Sequence, residues 1–139
     1  MKADTVGQEA ADGLLPVLRE LCRGAGADGS LPLTPRALHA AREAWGAAAL
    51  LRLSGIARVL GEVRLSRRAV FHYSNPDCPC CRHKLTPNER AFLSLVRAGI
   101  AGQKTAATGA ALILTEGGPV EPARNAALAL RGVWSAGPV

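Results

Sequence analysis

Two Thr-Pro pairs, Thr34-Pro35 and Thr86-Pro87, constrain this chain most, because each sets a side-chain acceptor directly before a proline suited to the first helical position. The hydroxyl satisfies a backbone N–H that has no carbonyl partner in the first turn, and the proline supplies a fixed φ where its missing donor costs nothing. Thr86-Pro87-Asn88-Glu89 also carries a glutamate three residues after the threonine, the sequence form of a capping box. Helices are therefore expected to begin at 35 and at 87. The first runs through an Ala- and Leu-rich stretch to about 53, where Ser54-Gly55 caps, kinks or restarts it, and Ile56, Val59, Leu60 and Val63 continue an apolar face to about 63. The second presents Ala91, Phe92, Leu95 and Val96 to a core.

The same spacing appears elsewhere. Leu14, Leu15, Leu18, Leu21 and Cys22 fall on one face of a helix over about 12–23, with Asp12 as N-cap and Pro16 in the first turn. Glycines 24, 26 and 29 with Pro32 make a linker. Gly99 and Gly102 are expected to end the helix that starts at 87. A small-residue helix follows from Lys104 to about Thr115, and Gly117-Gly118-Pro119 breaks it. A last helix over about 121–133 carries Ala127, Leu128, Leu130 and Val133, with Trp134 near its end. Gly102-Gln103-Lys104-Thr105 matches a fragment of a phosphate loop, but the full spacing is absent, so Lys104 and Thr105 read as the start of a helix. The segment Arg68 to Tyr73 is the one place where β-favouring residues gather, and it reads as a short strand or extended arm near 68–73.

The expected fold is thus mainly α, an orthogonal or bundle-like domain of five to six helices with one Cys/His-rich loop. Its 139 residues suit a single domain, 1–139, with a flexible N-terminal segment over 1–10 and the loop over 72–86. Apolar residues make up 48% and aromatics only 4%, so the core must come from close packing of Ala, Leu and Val. The N-terminal stretch is polar and acidic, unlike a secretory signal, and polar residues interrupt every apolar run, so a cytoplasmic protein without a membrane span is expected.

The concentrated chemistry lies between 72 and 83. Cys78 and Cys81 form a C-x-x-C pair, whose spacing lets one turn aim two sulfurs at a single ion, and Cys80 adds a third. His72 and His83 flank the turn, so the candidate ligand set is His72, Cys78, Cys80, Cys81 and His83. Zinc suits mixed sulfur and nitrogen ligands and is the first expectation. Sulfur-only coordination would suit Cu(I), and an iron–sulfur cluster would need Cys22 to come across from the first helix. Cys78-Pro79 resembles the short Cys-Pro motif of proteins that bind haem reversibly. In a reducing compartment the cysteines are expected as thiols, metal ligands or redox groups, not as structural disulfides. The bland alternative is that the cysteines are small buried apolar groups and the histidines ordinary surface residues.

Val70 to Tyr73 followed by Cys78-Pro79-Cys80-Cys81 resembles a glutaredoxin strand and its C-P-x-C turn. That likeness stops within the turn, because the next helix cap, Thr86, falls several residues late and the later strand–helix alternation is missing. Formal charge is +6, and Arg64, Arg67, Arg68, Arg82 and Lys84 bracket the cluster as a basic patch for nucleic acid or an acidic partner. A solvated rim, in a composition typical of a GC-rich genome, explains the same arginines. His39, one turn from Glu43, reads as a surface or packed histidine. No nucleophile–base–acid set can be assembled, so the sequence points to a non-enzymatic metal-binding regulator or adaptor that orders a surface for a protein partner. A thiol redox sensor and a nucleic-acid-associated regulator are the alternatives. Ala-rich exposed helical faces would also suit a homodimer.

Overall fold

The computed structural model describes residues 12–136, so the expectation of a flexible segment over 1–10 lies outside the described residues. Among the described residues six α-helices follow one another: α1 (Leu14–Arg23), α2 (Pro35–Trp45), α3 (Ala49–Ser66), α4 (Pro87–Ala101), α5 (Lys104–Leu114) and α6 (Glu121–Ser135). The mainly helical, bundle-like architecture expected from the sequence is the one observed. α6 lies at the centre of the packing, against α3, α4 and α5, while α4 also packs along α5, and α1 and α2 close the other side through α3.

Both Thr-Pro starts behave as their chemistry requires. Thr34 accepts from the Ala37 N–H at 3.1 Å, and Thr86 accepts from the Glu89 N–H at 3.0 Å while the Glu89 carboxylate accepts from the Thr86 N–H at 2.9 Å. α1 begins differently. Its N-cap is Gly13, in the left-handed region, and the Asp12 side chain instead pairs with Arg97 of α4.

The first long helix does not break where Ser54-Gly55 suggested. It ends at Trp45, passes through a 3₁₀ turn at Gly46–Ala48 and resumes at Ala49. Gly46 takes φ 55°, a conformation few side chains tolerate, and Trp45 stacks edge-on against Trp134 with centroids 5.5 Å apart, fixing the corner. Gly55 sits inside α3 for a packing reason: a Cβ there would lie 2.7 Å from Leu130 Cδ2. Gly99 has the same kind of role. It does not end α4; a Cβ at 99 would meet the Ala127 carbonyl oxygen at 2.1 Å, so its bareness lets α4 and α6 approach backbone to backbone.

Among the described residues there is no strand; Arg68 and Ala69 form a bend, and from 70 to 73 the chain runs on as an arm without regular secondary structure. No second β-favouring run exists to pair with it, so its backbone groups are satisfied by side chains instead. Asn88 accepts from the His72 N–H at 2.8 Å and Thr86 Oγ1 donates to the His72 carbonyl at 2.7 Å. Glu116 accepts from the N–H groups of Arg68 and Ala69, which holds its carboxyl below the usual carboxylate range. Phe71 anchors the arm edge-on against Phe92 of the core, centroids 6.0 Å apart.

Candidate functional site

The arm delivers the chain into the segment 74–86, which is held from below by a buried ion pair. Arg19 of α1 is 5% exposed and Glu89 of α4 is fully buried; Arg19 Nε donates to Glu89 Oε2 at 2.7 Å. The remaining guanidinium donors reach the loop, Nη1 to the Arg82 carbonyl and Nη2 to the Lys84 carbonyl, both at 2.8 Å. The carboxylate in turn accepts from the Ser74 N–H at 3.1 Å as well as from Thr86. One buried pair therefore clamps both ends of the loop to two helices, with its hydrogen-bonding capacity widely used, as a desolvated pair needs. Ser74 Oγ donates to the Lys84 carbonyl at 2.6 Å and closes the loop across its base.

Above this clamp, Asn75 organises the turn, its carbonyl accepting from the Cys78 N–H at 3.1 Å and its side chain from the Asp77 N–H at 2.9 Å. A 3₁₀ turn over Cys81–His83 follows. Asp77 pairs with Arg23 at the end of α1, which tethers the outer edge. The Sγ atoms of Cys78 and Cys81 are joined in a disulfide, with Cα atoms 5.1 Å apart, and the Cys81 N–H points at Cys78 Sγ at 3.1 Å. Cys78 is half-buried, whereas Cys80 and Cys81 are exposed.

A disulfide stands where thiols, metal ligands or redox groups were expected and a structural disulfide was not. It encloses so few residues that, by chain entropy, it stabilises the fold by only about 2 kcal/mol, less than a long-range bridge. It sits at the tip of a loop already pinned by the Arg19–Glu89 pair. Such a bond contributes little to holding the domain together.

Of the five expected ligands, the structure brings together two. Among the described residues no three Cys, His, Asp or Glu side chains assemble into a group able to hold an ion, so His72, Cys80 and His83 do not join Cys78 and Cys81 around one point. The physical reason is local: the His72 backbone is engaged with Asn88 and Thr86, and both imidazoles lie exposed. Cys22, required for a four-sulfur cluster, belongs to no such group and instead lines a cavity beside Arg64 and Tyr73. Burial there pushes its thiol up to about 12, with Glu89 adding to the rise and Arg64 opposing it.

The basic residues also divide. Arg64, Arg67 and Arg68 surround the cavity that Cys22 lines. Arg82 and Lys84 belong to the loop, where their carbonyls serve Arg19. Arg67 is internally engaged: Nε donates to the Ala69 carbonyl at 2.9 Å, Nη1 to the Leu114 carbonyl at 2.7 Å, and Nη2 to the Val70 carbonyl at 3.3 Å. It stitches the arm to the end of α5. His39 is exposed on α2.

Sequence reading missed the Arg19–Glu89 clamp. Glu89 was legible only as a capping residue, and the one hint for Arg19 was a cation between Leu18 and Leu21 on an otherwise apolar face. Compared with known protein families, curated proteins and solved structures, the chain matches none. None of the helices described is long and apolar enough to cross a membrane.

Proposed function

We propose that this is a non-enzymatic regulatory protein whose Cys78-Pro79-Cys80-Cys81 turn is a thiol–disulfide switch carried on a rigid helical scaffold. The observation that supports this reading is the Cys78–Cys81 bond on a solvent-facing turn, with a backbone donor aimed at one of its two sulfurs. A donor at Cys78 stabilises a thiolate there and makes Cys78 the better leaving group. In reduction, an external thiolate attacks the exposed Cys81 sulfur and the electron pair leaves on Cys78. A second external thiolate then attacks the outer sulfur of the mixed disulfide, so that Cys81 leaves as a thiolate and the two external thiols depart as their own disulfide. In oxidation, the Cys81 thiolate attacks a low-molecular-weight disulfide and expels one thiol. The Cys78 thiolate then attacks Cys81 Sγ and expels the second. Opening or closing the turn changes the surface that a protein partner meets, while the Arg19–Glu89 clamp keeps the loop ends in place.

The test is a glutathione redox titration with thiol counting by mass spectrometry. The expected oxidised form keeps two free thiols, Cys22 and Cys80, and gains two more on reduction, with one reversible two-electron transition that Cys78→Ser or Cys81→Ser abolishes. Four free thiols across the whole range of glutathione potentials would remove the reading.

A second reading keeps the ion. The N–H aimed at Cys78 Sγ also suits a metal-bound thiolate, so the reduced dithiol would supply two ligands to a zinc-like ion, the others drawn from Cys80, His72 or His83 by movement of the exposed turn. Elemental analysis of anaerobically purified protein separates the two readings: stoichiometric zinc protecting Cys78 and Cys81 from alkylation favours the metal, and iron or copper would indicate a cluster, haem or Cu(I).

A further inference from the structure

A second site lies apart from the disulfide. A cavity of about 360 Å³ opens where the C-terminal end of α3 meets the arm, walled by Arg64, Arg67, Arg68, Val70, Phe71 and Tyr73, with Cys22 at its side. Its volume is in the range of small-ligand pockets. Arg64 Nη1 is shut away from solvent yet has no hydrogen-bond acceptor among the described residues. A buried guanidinium donor without an acceptor costs stability, so the Arg64 head gains from turning toward any acceptor that enters the cavity it lines.

Of the nearby carboxylates, Glu89 is paired with Arg19 and Glu20 with Arg23, while Glu116, held by the N–H groups of Arg68 and Ala69, offsets part of the charge of Arg67 and Arg68 and leaves Arg64 as the principal cation of the wall. The hydrogen bonds made by Arg67 go to carbonyls, which satisfy its donors without cancelling its charge. The cavity is lined by Arg64, Arg67 and Arg68 and by no carboxylate, so its wall is cationic, next to an aromatic wall made by Phe71 and Tyr73. Its thiol is no nucleophile, because Cys22 stays protonated through the neutral range. The cavity is built to bind, not to react.

We infer that this cavity binds a small organic oxyanion, a carboxylate or phosphate head on a planar apolar body, with the head on Arg64 and the body against Phe71 and Tyr73. Arg pairs with either head through its planar fork, and the positive charges of Arg67 and Arg68 favour the anion without needing to touch it. The site owes nothing to the redox state of Cys78 and Cys81, so it stands or falls separately from the switch.

The experiment is two-dimensional NMR titration of the full chain with phenyl phosphate, benzoate, inorganic phosphate and benzyl alcohol as probes. Phenyl phosphate or benzoate is expected to shift signals of Cys22, Arg64, Phe71 and Tyr73 together, and which of the two binds more tightly identifies the head group. Arg64→Met should weaken that binding at least tenfold with no loss of thermal stability, since it removes an unsatisfied donor and keeps the apolar stem. Cys78→Ser should bind as the parent does. The inference is overturned if benzyl alcohol binds as tightly as the anions, if inorganic phosphate matches phenyl phosphate, or if the shifts map to Arg82 and Lys84. Undiminished binding by the folded Arg64→Met variant overturns it as well.

Discussion

Glu89→Ala tests the load borne by the buried clamp. The substitution leaves Arg19 inside the protein with an uncompensated charge and removes the acceptor for the N–H groups of Ser74 and Thr86. Breaking a buried ion pair from one side costs about 3–5 kcal/mol. Loss of the reciprocal half of the capping box adds about 1 kcal/mol. The total, about 4–6 kcal/mol, is a large part of the 5–15 kcal/mol typical of a domain. With a urea m-value of about 2 kcal/mol per molar, the midpoint should fall by about 2–3 M. Removing both charges, as in Arg19→Met with Glu89→Leu, should recover at least about 2 kcal/mol of that loss, because no stranded charge remains. The Arg82 and Lys84 carbonyls still lose their donor, so amide exchange over 74–86 should quicken in the double variant even as global stability returns. A cost below about 1 kcal/mol for Glu89→Ala, or a double variant no more stable than the single, refutes the clamp.

Two further outcomes follow from the packing and from the buried thiol. Gly99→Ala should destabilise by about 1–3 kcal/mol, because the new Cβ must push the α6 backbone away from α4, which outweighs the gain of up to about 1 kcal/mol in helix propensity; a neutral or raised melting temperature would show that the two helices separate freely. Stability should also fall in alkali by about 1.4 kcal/mol per pH unit between the ordinary thiol value of 9.0 and about 12, since over that window the unfolded chain has lost the Cys22 proton that the folded chain keeps. Below pH 9 the thiol is protonated in both states and contributes no slope. Cys22→Ala should flatten this difference in urea melts compared across pH, and parallel profiles for parent and variant would contradict it.

The two Thr-Pro starts and the apolar spacing behind them were legible because a cap and a helical face are set by residues within a few positions of one another. The capping box at Thr86 and the core positions Phe92, Leu95 and Val96 needed no knowledge of the rest of the chain. Glycine was read less well. Gly55 and Gly99 look like stops in a string of letters, and both instead lie inside helices because α6 passes beside them. Gly46, hidden in an Ala-rich run, makes the real corner.

The same division holds at the site. The sequence by itself determined that sulfur and imidazole gather at one turn, and that the C-x-x-C spacing lets Cys78 and Cys81 meet. Which donors converge was decided by tertiary structure: Asn88 and Thr86 hold the His72 backbone, and the Arg19–Glu89 pair fixes the loop ends, across separations that no local pattern encodes. Charge and donor satisfaction explain the difference, because a buried cation takes whichever acceptors the folded chain brings within reach, and those acceptors are neighbours only once the helices have packed.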